Sequence, residues 1–303
     1  MGIDRARPVW RSLMYVPAHV PRFIDKAHTR GADCILLDIE DSVPPEEKPR
    51  ARAGVAAAAP MVRRGGADVL VRINAPLSLA VPDIQAAVCP GVDGIIVTKA
   101  RGPDHVMMLD ELVSECEARA GLPVGRLWFY LLVETPEALP FAEAIGRASR
   151  RAVAMSLGAE DFATAIGSEP SEEALAVARS LVLHATRAAG LLPLGLTGTL
   201  AGFGDPAAFQ AMAERSRRLG FEGASCINPA QVGPLNSAFT PGEAEVAYAS
   251  KVIAVDAAAR VDGRGAVALD GRMIDIPVVR RAENLLARHA AIMARLSSRQ
   301  PTP

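Results

Sequence analysis

Residues 34–43 read CILLDIEDSV. Four apolar residues follow one another from Cys34 to Leu37, so a strand made of them has no wet face. Strands of that kind belong to parallel sheets covered by helices on both sides. The run then passes abruptly into Asp38, Glu40 and Asp41. A solvent-facing turn needs one acid at most, to cap the next helix. Three mark a site that handles protons, cations or both.

Similar runs recur on either side: SLMYV near 12–16, VLVRI near 69–73, GIIVT near 94–98, LWFYLLV near 127–133, AVAMSL near 152–157, LLPLGL near 191–196 and ASCIN near 224–228. The seventh is the weakest because it contains Pro193. Helix signals lie between them. Pro21 opens a helix that ends before Gly31, and Asp104 caps one that ends at Gly121. Ser171 caps one that ends at Gly190, and Asp205-Pro206 starts one that ends at Gly220. Strands alternating with helices through residue 236 predict an α/β protein, a (β/α)8 TIM barrel, whose usual size is ~250 residues. A doubly wound open sheet is the competitor, but no GxGxxG follows the first strand. From 237 to 303 the pattern changes. A helix over 242–260 leads to GRGAVALDGRMID, two short strands joined by Asp270-Gly271, and a last helix follows Pro277. This part reads as a C-terminal lid or oligomerisation arm.

Of the 303 residues, 50% are hydrophobic and 22% charged, as in ordinary globular proteins. A net charge of −1 supplies no basic field for nucleic acid or an anionic membrane, so neither is expected as a partner. Cys34, Cys89, Cys116 and Cys226 lack CxxC spacing and read as reduced core thiols. The opening MGIDRARPVWRS has no signal-peptide core and no apolar run approaches the ~20 residues of a membrane span, so a cytoplasmic protein is expected.

In such a barrel the chemistry sits at the C-terminal strand ends. Polar residues fall there repeatedly: Asp38, Glu40 and Asp41 after the second strand, Arg72 and Asn74 at the third, Lys99 after the fourth. Glu134 follows the fifth strand, Asp161 the sixth, and Asn228 ends the eighth. Glu134 and Asp161 leave adjacent strands, and two converging carboxylates repel unless a cation or proton intervenes. Their hard oxygen donors favour Mg2+ or Mn2+ over Zn2+. The alternative is that each acid simply pairs with a neighbouring arginine, and both readings stay open here. Arg72 is either an interior ion pair or an oxyanion clamp. The five histidines show no ligand spacing.

Several segments carry a likeness in order from Arg11 to about Ala287: RSLMYVPAHVPRFIDKA, GADCILLDIEDSVPPEEKPRAR, VRIN, VTKA, VETPEAL, SLGAEDFATAIG, GFEGASCINPAQVGPLNSAFTP and GRMIDIPVV. Together they resemble the citrate lyase beta-subunit-like family of the HpcH/HpaI aldolase superfamily, whose members include malyl-CoA and citramalyl-CoA lyases. The resemblance implies a homotrimeric or homohexameric barrel. It implies a carbon–carbon lyase that joins or cleaves an acyl-CoA and a 2-oxo acid, glyoxylate or pyruvate. It also implies Mg2+, with Mn2+ possible, and a CoA thioester as substrate. By the same resemblance Glu134 and Asp161 match the metal ligands and Arg72 the residue that steadies the enolate oxygen. Asp275 matches an aspartate inserted from a neighbouring subunit, and Lys26 a CoA contact. Asp38, Glu40 and Asp41 match a stretch beside the metal that orients waters and basic neighbours such as Lys48 and Lys99. Arg72, Asp275, Glu40 and Asp41 are therefore the catalytic candidates. Tyr15, Lys26, Asp38, Lys99 and Asn74 join Arg72 as candidates for substrate binding. The chain departs from the pattern at Val20, where an arginine is usual, at Asn228 and at Leu194. A superfamily aldolase or thioester hydrolase with another substrate, and a non-catalytic barrel subunit, are the competing functions.

Overall fold

A computed structural model describes residues 7–199, 204–261 and 267–299. The chain divides into two compact units, Met1–Phe239 and Thr240–Pro303. In the first, the strands are β1 (Ser12–Pro17), β2 (Cys34–Asp38), β3 (Asp68–Arg72), β4 (Gly94–Val97), β5 (Trp128–Val133), β6 (Ala152–Leu157), β7 (Leu192–Pro193) and β8 (Ala224–Cys226). They form one parallel eight-stranded sheet in the order β7-β6-β5-β4-β3-β2-β1-β8. The helices are α1 (Pro21–Ala27), α2 (Lys48–Val62), α3 (Leu77–Ala87), α4 (Pro103–Arg119), α5 (Ala142–Arg147), α6 (Ala159–Ala165), α7 (Glu172–Ala188), α8 (Pro206–Leu219) and α9 (Val232–Ala238). The sheet curls so that its terminal strands meet, though only through an isolated parallel bridge, Leu194↔Gly223. Backbone bonds of 2.9 Å from Gly195 to Gly223 and from Glu222 to Pro193 flank it. The seam is thin because β7, expected over 191–196, has shrunk to two residues around Pro193, which has no N–H to give.

Alternation along the strands builds two cores. Ile35, Leu37, Val69, Val71, Ile95, Val97, Phe129 and Leu131 belong to the large cluster under the helices. Their sequence neighbours Leu13, Cys34, Leu36, Leu70, Ile96, Tyr130, Leu132 and Ala154 pack on one another and on Trp10, on the inner face of the curled sheet. Both faces of β2 are thus fully covered, as its unbroken apolar run requires. Truncating Leu36 to Ala would open a cavity costing about 2–5 kcal/mol. Following the inner parity towards the C-terminal ends leads to Tyr15, Asp38, Arg72, Glu134 and Ser156. The functional groups are the top layer of the inner core.

Charges are not confined to that end, contrary to the expectation from strand exits. Arg11 grips Asp33 with both arms at 2.8 and 3.0 Å before β1 and β2. Trp10 donates to Asp68 at 2.7 Å, Arg63 pairs with Asp93, and Arg151 reaches Glu117 and Asp110 at 2.7 and 2.5 Å. What separates the two ends is pairing. At the N-terminal ends acids and donors are matched; at the C-terminal ends acids are in excess.

Ser171 caps α7 through Ala174, and Asp205 caps α8 through Ala207 and Ala208, as expected. Asp104 does not cap α4. Gly102 holds the cap position, and Asp104 lies in the first turn, where its charge meets the helix N-terminus. The helices α2 and α3 carry Pro60 and Pro82 inside them. The second unit contains α10 (Glu243–Val261), β9 (Val267–Leu269), β10 (Arg272–Ile274) and α11 (Ile276–Arg299). Asp270 and Gly271 turn the hairpin with φ of 49° and 75°, the two left-handed residues of a type I′ turn. Ala249, Val252, Ile274, Val279 and Ala282 form its own core. All four cysteines are free, and burial pushes the Cys226 thiol up to about 12. No helix among the described residues is long and apolar enough to cross a membrane.

Candidate active site

A cavity of about 380 Å³ opens at the C-terminal strand ends. One side is polar and is made by Asp38, Asp41, Arg72, Glu134 and Asp161. The other is apolar, made by Leu194, Leu196, Phe221 and Ile227 on either side of the seam.

The three acids after β2 have distinct jobs. Asp38 and Arg72 are register partners across the β2–β3 ladder, so the guanidinium meets the carboxylate edge-on, Nε and Nη2 at 2.8 and 2.6 Å. Asp38 also accepts from the Glu40 and Ser42 backbone N–H groups, which ties the turn around it. Burial alone would raise its pKa, but the hydrogen bonds and charge of Arg72 outweigh that and hold it below the ordinary value. Glu40 pairs with Arg72 at 3.0 Å, and the exposed Asp41 approaches it at 3.4 Å. The Arg72 guanidinium also lies 4.7 Å from the centre of the Tyr15 ring. Burial opposes its charge, yet Asp38 and its neighbours raise its pKa well beyond the usual range. Arg72 is a fixed cation with its donors already aimed.

Lys99 ties the second strand's acids to the fifth's. It is a non-glycine residue in the left-handed region, φ 47°, at a cost of about 1–3 kcal/mol. That conformation directs its backbone N–H to Glu134 at 2.5 Å, while its ammonium reaches Glu40 and Asp161, each at 3.2 Å. Burial opposes the ammonium, but Glu40, Glu134 and Asp161 together raise its pKa above the ordinary value. Even so the acids outnumber the cations. Burial, reinforced by the charge of Asp161, pushes Glu134 up to about 7. Burial likewise lifts Glu40 to about 7, against the pull of Arg72 and Lys99. A methyl group on Gly158 would fall on the Glu134 carboxylate, so only glycine leaves this side chain its place.

Those features fit a hard divalent cation. Glu134, 4% exposed, is buried beside a second acid with too little positive charge to ionise freely. Glu134 and Asp161 offer oxygen donors, and among the described residues no histidine or cysteine lines the cavity. Among the described residues no three acidic, histidine or cysteine side chains converge as a ligand set.

Tyr15, Asp38, Asp41, Arg72, Glu134 and Asp161 thus meet around one cavity. Glu40 and Lys99 sit just behind its polar wall, bonded to residues that line it. Asn74 lies deeper: it donates to Ile39 and Asp83 and accepts from Lys48 at 2.7 Å, bracing the β2 turn. Lys26 is an exposed residue in the last turn of α1 and does not line the cavity. Val20 occupies the N-cap position of α1 and gives no side-chain cap. Asn228 caps a turn through Ala230. In the second unit Asp275 accepts from the Val278 N–H at the start of α11. Sequence reasoning missed Tyr130, Ser156 and Ser225, which are hydrogen-bonded together on the inner wall, and Arg179 on α7, which also lines the cavity. The signal for Arg179 was present: a charge set among Leu175, Ala178, Val182, Leu183 and Thr186, the buried stripe of its helix.

The family model described as HpcH/HpaI aldolase/citrate lyase matches residues 11–229. Citrate lyase subunit beta of Leuconostoc mesenteroides subsp. cremoris is 34% identical over 292 residues, covering 94% of each chain. L-malyl-CoA/beta-methylmalyl-CoA lyase of Rhodobacter capsulatus is 32% identical over 299 residues, covering 90% of this chain and 92% of that one. Among solved structures, protein CitE of Mycobacterium tuberculosis, in complex with magnesium, acetoacetate and coenzyme A, aligns with a TM-score of 0.74. It is 28% identical and covers 94% of this chain and 100% of its own. The chain belongs to the HpcH/HpaI aldolase/citrate lyase family and, as a member of it, is a carbon–carbon lyase.

Proposed function

We propose that this lyase is Mg2+-dependent, with Mn2+ as a possible substitute, and that it acts on a malyl-CoA-like 3-hydroxyacyl-CoA. Cleavage gives an acyl-CoA and a 2-oxo acid; condensation is the reverse. One observation carries the reading: Glu134 and Asp161 share a cavity with Arg72, and Glu134 is buried beside Asp161 with its pKa pushed up. The magnesium and coenzyme A in the complex of the CitE relative support it. A cation held by Glu134 and Asp161 would supply Lewis-acid polarisation and a chelating position for the 2-oxo acid.

The chain's own groups do the rest. Cleavage removes a proton from the substrate hydroxyl, breaks the bond β to the thioester, and leaves an enolate whose carbon takes up a proton. Arg72 faces the enolate oxygen. Its bonds to Asp38 keep the guanidinium aimed, and the long contact to exposed Asp41 is the one a substrate oxygen displaces. Glu40, poised near neutrality between Arg72 and Lys99, is the group assigned to the hydroxyl proton. Asp275, supplied by a neighbouring subunit of a homotrimer or homohexamer, is assigned to the enolate carbon. Its flanking residues support a covered position: Met273 and Ile276 are 66% and 59% exposed in the single chain. In this reading the curled sheet acts as a (β/α)8 barrel and residues 240–303 as its lid and oligomerisation arm.

The test is a panel of 3-hydroxyacyl-CoA thioesters assayed for paired release of acyl-CoA and 2-oxo acid. Activity should vanish on chelation and return with Mg2+. Full activity after exhaustive chelation would refute metal dependence. Free CoA in place of acyl-CoA would mark the chain as a thioester hydrolase.

A further inference from the structure

An acid stands in the middle of α3, next to Pro82 and Ile84, and is 1% exposed. Packing alone does not ask for Asp83, since an apolar side chain of its size would fill the place without the cost of burying a charge. Its two oxygens serve different elements. Oδ1 accepts from Arg52 Nε on α2 at 2.8 Å. Oδ2 accepts from Asn74 twice, from the backbone N–H at 2.9 Å and from the side-chain amide at 2.7 Å.

Asn74, 4% exposed, passes the contact on. Its amide also donates to the Ile39 carbonyl at 2.9 Å, and its Oδ1 accepts from Lys48 Nζ at 2.7 Å. A carboxylate only accepts and an ammonium only donates, so the amide between Asp83 and Lys48 has a single orientation. Lys48 in turn donates to the Glu40 carbonyl at 2.7 Å and to the Ile39 carbonyl at 3.4 Å. The Glu40 N–H donates to Asp38 at 3.0 Å, so the backbone is held on both sides of the Glu40 Cα. From there the Glu40 side chain leaves to meet Arg72 and Lys99, at 3.0 and 3.2 Å.

We propose that Asp83 is a positioning residue for the lyase reaction: acting through Asn74 and Lys48, it fixes the backbone that presents the Glu40 carboxylate. Its role rests on the reading above, in which Glu40 takes the hydroxyl proton. A base misplaced by about 1 Å loses roughly 10²-fold in rate, so a rigid mount matters more here than at a binding contact.

The test starts from Asp83→Asn, which keeps the volume and removes one acceptor. The new amide satisfies Arg52 or Asn74 but not both, and Asn74 loses its fixed orientation. Malyl-CoA cleavage in Mg2+, measured per folded protein, should fall by roughly 10- to 100-fold in kcat with a smaller change in KM. Adding Arg52→Gln gives the new amide an acceptor on the α2 side and should restore most of the rate. Lys48→Met, at a half-buried residue, breaks the same chain from its other end and should show a similar loss. In a Glu40→Gln background Asp83→Asn should change kcat by less than about threefold, because groups that act as a unit are not additive. Backbone hydrogen exchange, which needs no turnover, should quicken over residues 39–43 and stay unchanged in β5. Equal losses from Asp83→Asn with and without Glu40 would overturn the proposal and leave Asp83 a structural brace. A loss confined to KM, or unaltered exchange at 39–43, would overturn it as well. Full activity of Asp83→Asn beside a slow Glu40→Gln would overturn it alone. Full activity of Glu40→Gln would remove the assigned base and this proposal with it.

Discussion

Replacing Glu134 by glutamine tests the electrostatics of the site at a buried acid whose carboxyl is pushed up in pKa. Burial and Asp161 raise its carboxyl from 4.5 to about 7. Between those values the native state holds a proton that the unfolded chain has lost, so the metal-free protein loses stability as pH rises through that window. A rise of about 2.5 at ~1.4 kcal/mol per pH unit is worth about 3–4 kcal/mol. The substituted amide would keep an acceptor for the Lys99 N–H, 2.5 Å away in the native site, without the charge. In chelator, Glu134→Gln should therefore match the native protein near pH 5 and exceed it by about 2–3 kcal/mol above pH 7.5. Glu40, also near 7, remains in both and leaves a residual slope. Urea unfolding followed by circular dichroism across that range measures the difference. Added Mg2+ should reverse the order, because only the native acid pair gains from binding it. Parallel pH profiles for the two proteins would refute the reasoning, since the excess of buried negative charge would then be relieved elsewhere.

Arg72→Lys removes the bidentate fork and should lower kcat by roughly 10²- to 10³-fold with a smaller change in KM; a change in KM alone would reduce Arg72 to a binding contact. Gly158→Ala forces the Glu134 carboxylate aside and should cost about 1–3 kcal/mol of stability together with Mg2+ affinity. Unaltered Mg2+ affinity by calorimetry would show that the ligand does not depend on that opening. Asp275→Asn and Arg72→Ala should each be nearly inactive alone, yet regain activity when mixed and allowed to exchange subunits. No recovery, with exchange confirmed by mass spectrometry, would put Asp275 outside a neighbour's site.

Much of this was legible in the residues. Cys34 to Leu37 could only be a strand covered on both faces, and the same logic located the remaining strands. It overreached at 191–196, where Pro193 withholds a ladder donor. Helices with punctuation at their ends were readable, as at Ser171 and Asp205. Of the helices with a proline inside, α2 carries an opening signal at Pro49, whereas α3 has none. Asp104 misled because a first-turn acid and a capping acid look alike a residue or two apart. For the site, strand exits brought out Arg72, Glu134 and Asp161, which line one cavity. They could not reveal that equally charged groups at the opposite strand ends are matched in pairs, for pairing is a property of distance. Arg179 escaped because it comes from a helix, and a lone arginine there is usually a solvated one.

The seam between β7 and β8 has a consequence for how this molecule can change. Pairs run five deep from β1 through β3, but fall to two between β6 and β7 and to a lone bridge at the seam. Asp38 and Arg72 stand on deeply laddered strands, while Leu194, Leu196 and Phe221 flank the lone bridge. Residues there can be exchanged with little backbone pairing at stake, whereas an exchange at Asp38 or Arg72 disturbs a register shared by two strands. The polar wall of the cavity therefore leans on deep ladders and its apolar wall on a single bridge, so substitutions on the apolar side should be borne with the smaller loss of fold.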